Sequence, residues 1–436
     1  MSAELSWEID GWIILAGALC AMSAALLGNF LVLRRQSLLG DAISHAVLPG
    51  LAAAFLLTGQ RQGWVMFLGA ASVGVLTVLL TELARQFGRV DESASIGVVF
   101  TFLFALGLVM IVQAADSVDL DPGCVLYGSI ETSMIRKMPL FGLSIPRVVV
   151  TLGTTLTINS LFVAAFYRML KVSTFDPQLA RAQGVPVNFL HYALAGLVAV
   201  TSVASFESVG NILVVAMFVV PPVAAWLLTD RLKVMIVLSL VIGVLSAVLG
   251  HLAAINVPIW FGYRSTSTAG MMAVASGGLL FFCVLFAPRK GLLSQLLRQW
   301  EVSLRILGED VLATLYRAEV AGQNAVRLVG LVRSLLVTKL WARIVIEFLQ
   351  LRRLVSRESD GLRLTTAGRS RAQNIVRSHR LWEHYLASEA GMSNEVLHDG
   401  AERLEHFTDR QMRERLLVES NAPSTDPHGR PIPPEA

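Results

Sequence analysis

The chain has 436 residues, 54% of them hydrophobic and only 16% charged, with a mean hydropathy of +0.61. Residues 1–290 hold 16 Lys+Arg and 14 Asp+Glu, which leaves 20 and 18 of the totals of 36 and 32 for residues 291–436. The net charge of +4 therefore divides into +2 and +2, which argues against a basic nucleic-acid-binding surface, while the charge density separates a membrane part from a water-soluble part.

Cys20, Cys124 and Cys283 are scattered and form neither a disulfide framework nor a zinc knuckle. The N-terminus carries the acids Glu4, Glu8 and Asp10 rather than a basic region. The first apolar run lacks a convincing cleavage site, so it reads as a retained helix and not as a signal peptide.

Candidate spanning helices follow at 12–33, 40–58, 64–84, 96–113, 148–168, 189–206, 208–228, 234–255 and 270–287. Each comes close to the ~20 apolar residues that a bilayer requires. The second, fourth and sixth are short, so tilt or partial spanning is expected there. The fold class is an all-α polytopic membrane protein of about 8–9 transmembrane helices, with a C-terminal soluble, mainly helical domain. The proposed boundary lies at 290/291.

With the N-terminus outside, the cytoplasmic connections hold eleven basic residues, from Arg34 and Arg35 through to Arg289 and Lys290. The external ones hold five: Arg61, Arg136, Lys137, Arg147 and Arg264. The positive-inside rule favours this orientation in a plasma (inner) membrane, with residues 291–436 in the cytoplasm.

Within the second span, LLGDAISHAVLPG (38–50) sets Asp41 and His45 one helical turn apart on one face. Burying both in hydrocarbon is costly unless they face a bundle interior, a water path or a passing ion. Together they offer an oxygen and a nitrogen ligand to Mn²⁺, Fe²⁺ or Zn²⁺. The plainer alternatives are an acid favoured by the helix dipole and a histidine bonded to a neighbouring helix.

The longest external connection, 114–147, is acidic in its first half, where Asp116, Asp119 and Asp121 could attract cations or simply face water. Between the fifth and sixth spans runs FDPQLARAQGVP (175–186). Phe175, Leu179 and Ala182 share one helical face there and Pro186 ends the segment, as suits a short docking helix or a passive surface helix. Glu207, beside Gly210 and Asn211, is a candidate for the outer mouth of a path, or an interfacial carboxylate. His191 and His251 fall at span ends, where a histidine needs no special role.

SLLGDAISHAVLPG, ESASIGVVFTFLFALG (92–107), FDPQLARAQGVP and SVGNILVVAMFVVPPVAAWLLTDR (208–231) occur in that order. Over residues 12–287 the chain resembles the permease subunits of manganese/zinc/iron ABC importers. The resemblance implies that Asp41 and His45 line the metal path. It also implies that Phe175, Asp176, Leu179, Ala182 and Gly184 belong to a coupling segment seated on an ATP-binding subunit. An extracytoplasmic metal-binding protein and a second permease subunit, self or paralogue, are the other implied partners. None of the five lysines follows a glycine, so the chain has no P-loop. ATP hydrolysis is expected from partner subunits, and the chain itself is not an enzyme.

From about residue 291 the pattern becomes charged and amphipathic. His379 and Glu383, His398 and Glu402, and Glu402 and His406 are all i, i+4 pairs, with Glu405 adjacent. Two such helices converging on one or two ions would suit Mn²⁺ or Fe²⁺ better than tetrahedral zinc, because they offer imidazole and carboxylate but no thiol. Surface helices with Glu/Arg/His pairs give the same spacing.

Residues 301–434, including DPHGRPIP (426–433), resemble the diphtheria-toxin-repressor family of metal-dependent regulators. That resemblance implies a winged-helix-like part at about 301–366 and a metal-binding helical part at about 367–420. It places His379, Glu383, His398, Glu402, Glu405 and His406 on the family's ligand positions and adds Asp310. Ala313 stands where the manganese branch uses a glutamate, which leaves one site short of a ligand. The would-be DNA-reading helix, VTKLWARIVIEFLQL, offers only Thr338, Lys339, Arg343, Glu347 and Gln350 as polar groups, which argues against nucleic acid as a partner. The expected function is a permease importing a divalent metal, manganese before iron or zinc, with a metal-sensing cytoplasmic tail. The alternatives are a membrane-anchored metal-dependent transcription regulator and a metal-chelate permease.

Overall fold

The computed structural model describes residues 7–58, 63–88, 91–115, 130–134, 137–140, 143–263, 266–323, 325–358, 361–389, 392, 394–421 and 423–436. Asp116, Asp119, Asp121 and Cys124 lie outside the described residues. The chain forms two compact units, Met1–Gln295 and Leu296–Ala436.

In the first unit α1 (Trp7–Leu33), α2 (Ser37–Ala46), α3 (Leu48–Thr58), α4 (Gly63–Gly88) and α5 (Glu92–Ala115) are followed by a single turn, α6 (Ile130–Ser133). A hairpin of β1 (Lys137–Leu140) and β2 (Leu143–Pro146) then pairs Lys137 with Pro146 and Leu140 with Leu143, inside what the sequence suggests is a plain polar connection. Next come α7 (Arg147–Phe175), α8 (Pro177–Ala182), α9 (Val187–Val209), α10 (Asn211–Leu228), α11 (Leu232–Trp260) and α12 (Thr268–Phe286). Among the described residues eight helical stretches are long and apolar enough to cross a membrane. A shorter apolar one, Ile212–Leu228, adds a ninth candidate.

Helix α1 is the interior rod: 78% of its apolar window is buried, against 22% for α12 on the outside. Ala16, Ala21, Ala24 and Ala25 are fully buried and let α7, α10 and α11 come close. Polar side chains bridge these contacts. Asn29 donates to the Ser239 hydroxyl at 2.7 Å, and Asn159 donates to Ser23 and Thr201 at 2.8 Å each.

The span expected at 40–58 is two helices that meet at Val47. Pro49 has no N–H for the His45 carbonyl and its ring crowds that position, so the helical hydrogen bonding is interrupted there. Helix α10 is interrupted chemically too, since Pro221 and Pro222 lie inside it. Pro222 leaves the Phe218 carbonyl without its helical donor, and Gly28 of α1 packs directly on that carbonyl: a Cβ built at Gly28 would lie 2.1 Å from Phe218 O. The Phe218 ring in turn backs onto Gly40, where a Cβ would stand 3.3 Å from it. Two glycines thus set α1, α2 and α10 around one phenylalanine, immediately before Asp41.

The second unit begins within α13 (Leu292–Val320) and continues through α14 (Leu328–Ser334), α15 (Lys339–Leu351), β3 (Val355–Glu358), β4 (Gly361–Leu364), α16 (Thr366–Ser388), α17 (Asn394–Glu405) and α18 (Arg410–Glu419). Three helices followed by an antiparallel hairpin give the winged-helix-like arrangement, with Val355 opposite Leu364 and Glu358 opposite Gly361. Its core joins Val311, Leu315, Val345, Leu349 and Leu362. The hydroxyls of Thr338 and Thr365 cap the N-termini of α15 and α16. The outer face of α15 is mixed: Leu340 is 68% and Leu351 84% exposed, beside the exposed charges of Lys339, Arg343 and Glu347.

Candidate metal sites

Asp41 and His45 occupy the last two turns of α2, just before the break that Pro49 imposes. Asp41 Oδ1 stands 3.4 Å from His45 Nε2, and both side chains are partly exposed within the helical bundle. The imidazole is fixed by α5, with the Phe100 ring 5.6 Å away and the Phe104 ring 5.5 Å away, edge-on. The pair therefore presents one carboxylate oxygen and one ring nitrogen from a clamped ring. Glu207 belongs to the last turn of α9, and its side chain lies outside the described residues.

His251 has a specific partner on α1. It lies inside α11, only 2% exposed, with Nε2 3.1 Å from Asp10 Oδ1 of α1. Its partner sits 241 positions away in sequence, so no local signal could have named it.

The segment 175–186 forms the short helix α8. Asp176 caps it, its Oδ1 accepting from Gln178 N at 3.1 Å and Leu179 N at 2.9 Å. The C-terminus closes through Val185 N donating to Ala180 O and Gly184 N to Arg181 O, both at 3.0 Å, with Gly184 at φ +76°. Ala180 is buried, whereas Phe175, Leu179 and Ala182 are exposed on the other side.

In the second unit two groups of acids and imidazoles come together. His379, Glu383 and His398 form one, and Asp310, Glu405 and His406 the other; within each, one ligand atom per residue lies within 4.8 Å of the rest. His379 Nε2 is 3.2 Å from Glu383 Oε1 and 3.1 Å from His398 Nδ1. His406 Nε2 is 3.2 Å from Asp310 Oδ1 and 3.6 Å from Glu405 Oε1. Glu405 spans both, since its Oε2 is 2.6 Å from His379 Nδ1.

Burial alone would lower both imidazole pKa values, but the facing carboxylates outweigh it. Glu383 and Glu405 push His379 up to about 9, while Asp310 and Glu309, aided by Glu405, push His406 up to about 10. Burial likewise opposes ionisation of Glu383, yet His379 and His398 hold it down at about 2.

Two neighbours escaped the spacing argument. Glu309 Oε2 lies 2.9 Å from His406 Nδ1, and Arg371 binds its other oxygen at 3.0 Å. His428 Nε2 stands 4.0 Å from Glu383 Oε1. It is brought there by a turn in which Asp426 Oδ1 accepts from His428 N and Arg430 N. Glu402 departs from expectation: it is exposed and belongs to neither group. Helix α17 ends at Glu405, so the i, i+4 relation of Glu402 to His406 is not helical, and Glu402 shares the outer face with the 56%-exposed His398 side chain. Ala313 is buried and supplies no ligand.

A bundle of apolar helices with a clamped oxygen–nitrogen pair at a helix break is the architecture of a membrane transport subunit, here joined to a regulator-like unit. The chain belongs to the ABC 3 transport family, whose description matches residues 7–287. Residues 365–434 match the iron dependent repressor, metal binding and dimerisation domain. The manganese transport system membrane protein MntD of Bacillus subtilis is 43% identical over 292 residues, covering 67% of this chain and 96% of MntD. The zinc transport system membrane protein TroD of Treponema pallidum is 34% identical over 285 residues, covering 65% of this chain and 76% of TroD. Among solved structures, PsaBC from Streptococcus pneumoniae in complex with Fab is similar with a TM-score of 0.53 and 30% identity, over 64% of this chain and 92% of that one.

Proposed function

We propose that this chain is the membrane permease subunit of an ABC importer for divalent metal ions, with manganese as the main cargo and zinc and iron as competitors. The observation that carries this reading is the Asp41–His45 pair, 3.4 Å apart at the end of a broken membrane helix. It gains weight from relatives that include manganese and zinc transport membrane proteins.

The cargo arrives at the outer face from an extracytoplasmic binding protein, and Glu207 near the end of α9 helps admit it. Asp41 contributes charge and His45 a ring nitrogen, a donor set that prefers transition metals to the hard cations Ca²⁺ and Mg²⁺. Because Phe100 and Phe104 hold the ring, the pair keeps its geometry while the ion changes sides. The exposed face of α8 (Phe175, Leu179, Ala182), closed by Asp176 and Gly184, docks on a partner ATP-binding subunit, and hydrolysis there drives alternating access. A second permease subunit completes the path. The N-terminus faces outward and the second unit lies in the cytoplasm.

The donors of the second unit fit divalent metal. His379, Glu383 and His398 would hold one ion, and Asp310, Glu405 and His406 another, with oxygen and nitrogen but no sulfur. Binding there reports internal metal and restrains transport. The small net charge of +2 over residues 291–436 favours a role in protein contacts over DNA reading.

The test is uptake of labelled Mn²⁺ by cells expressing the chain with its partner subunits, in competition with Zn²⁺ and Fe²⁺. Asp41→Ala and His45→Ala should each lose most uptake while assembling normally in the membrane, and unchanged uptake would reduce the pair to helix packing. His406→Ala should keep uptake but lose its inhibition by internal manganese.

A further inference from the structure

The cytoplasmic ends of α1, α4, α7 and α9 and the short helix α8 line a half-open cavity of about 420 Å³. Its walls carry three arginines, Arg34, Arg85 and Arg181, against one acid, Glu82. Glu82 is already engaged by Arg85 at 2.6 Å. Arg34 is half-buried, and its guanidinium donates only to neutral hydroxyls, Nη2 to Ser173 Oγ at 3.0 Å and Nε to Thr174 Oγ1 at 3.2 Å. Among the described residues no carboxylate pairs with Arg34 or Arg181. A guanidinium removed from water without a counter-charge is costly, and the cavity as a whole holds an excess of two positive charges. Planar, multi-donor guanidinium groups match phosphate oxygens, and basic pockets between helices on this side of a membrane suit acidic headgroups.

A second feature indicates the source of the phosphate. Asn188 and Tyr192 of α9 line the cavity, and between them Phe189 is 56% exposed. Its ring meets Phe166 of α7 at 6.2 Å, and Phe166 meets Phe162 one turn further on at 5.2 Å. Ser173 and Thr174 end α7 at the cavity, so this aromatic row runs from the cavity toward the membrane interior. A free phosphate has no use for such a track, whereas an acyl chain does.

We propose that this cavity binds the phosphate of an anionic phospholipid headgroup, with an acyl chain laid along Phe189, Phe166 and Phe162. Because Pro177 and Arg181 belong to α8, the bound lipid also fixes the position of that helix.

The test uses the full chain, purified in detergent and stripped of lipid. Phosphatidylglycerol, phosphatidylcholine or inorganic phosphate is added, and binding is read by native mass spectrometry and by thermal unfolding. Phosphatidylglycerol should be retained and protect, and phosphatidylcholine should not. Arg34→Gln combined with Arg181→Gln should weaken phosphatidylglycerol at least tenfold. Arg181→Gln alone, on an exposed helix where folding is not at stake, should weaken it at least threefold. Phe189→Ala should weaken the lipid and leave inorganic phosphate unaffected. Equal binding of the two lipids, or no loss in the arginine variants, would overturn the proposal. Full protection by inorganic phosphate with nothing added by lipid would overturn the lipid assignment. No transport assay enters the test, so its failure is distinct from failure of the permease reading.

Discussion

Loading the second unit with Mn²⁺ at pH 7 should expel protons. With His379 held up at about 9 and His406 at about 10, each ring is almost wholly imidazolium at neutral pH and has no lone pair left for a metal. Glu383, held at about 2, is ionised throughout and contributes no proton. Displacing a proton costs about 1.4 kcal/mol for each pH unit below the pKa, which comes to on the order of 7 kcal/mol for the two rings at pH 7. About two protons should leave when both groups fill, and the apparent affinity for each ion should climb about tenfold per pH unit between pH 7 and 8.5.

The metal-free chain should behave in the opposite sense. Both histidines have folded pKa values above their ordinary 6.5, so the stability they lend is complete below about 6.5 and is lost as pH rises through 9 and 10. The assay is calorimetric titration of the full chain carrying Asp41→Ala, so that the membrane pair is silent, in two buffers of unlike ionisation enthalpy. The difference in apparent heat counts the protons. Fewer than about one proton released for two ions bound, or an affinity flat from pH 6.5 to 8.5, would refute the reasoning.

Other outcomes follow from packing. Gly28→Ala should lower the thermal midpoint in detergent by the equivalent of about 1–3 kcal/mol, because its Cβ meets the Phe218 carbonyl and one helix must move; an unchanged midpoint would show that α1 and α10 do not pack this way. Asn159→Ala removes two interhelical hydrogen bonds and should cost about 1 kcal/mol by the same measurement. Gly184→Ala forces a side chain into a left-handed position at about 1–2 kcal/mol. Uptake should fall with it, and Gly184→Asn should be milder, since asparagine tolerates that conformation.

The spans were legible because hydrocarbon thickness imposes length and apolarity on each helix, whatever its neighbours do. The break inside the second span was written in Pro49, yet hydropathy averages over that residue and shows only a short span. The α8 segment was readable to the level of its exposed face, since its ends are set locally by Asp176 and Gly184, whereas the packing that buries Ala180 is not local. Periodicity served well where the helix persisted: His379 and Glu383 share the α16 face as spaced. It did not carry past the end of α17 at Glu405, which separates Glu402 from His406. Glu309, His428 and the Asp10–His251 pair depended on contacts between distant stretches, which spacing along one chain cannot encode.

Glu405 gives the second unit a property beyond its role as a ligand donor. One carboxylate touches His379 with one oxygen and approaches His406 with the other. The two imidazoles therefore share a counter-charge, and a change at one alters the field at the other. Titration steps measured on this unit will belong to the assembly rather than to a single side chain. It follows that Glu405→Gln should perturb both histidines together, although only one residue has changed.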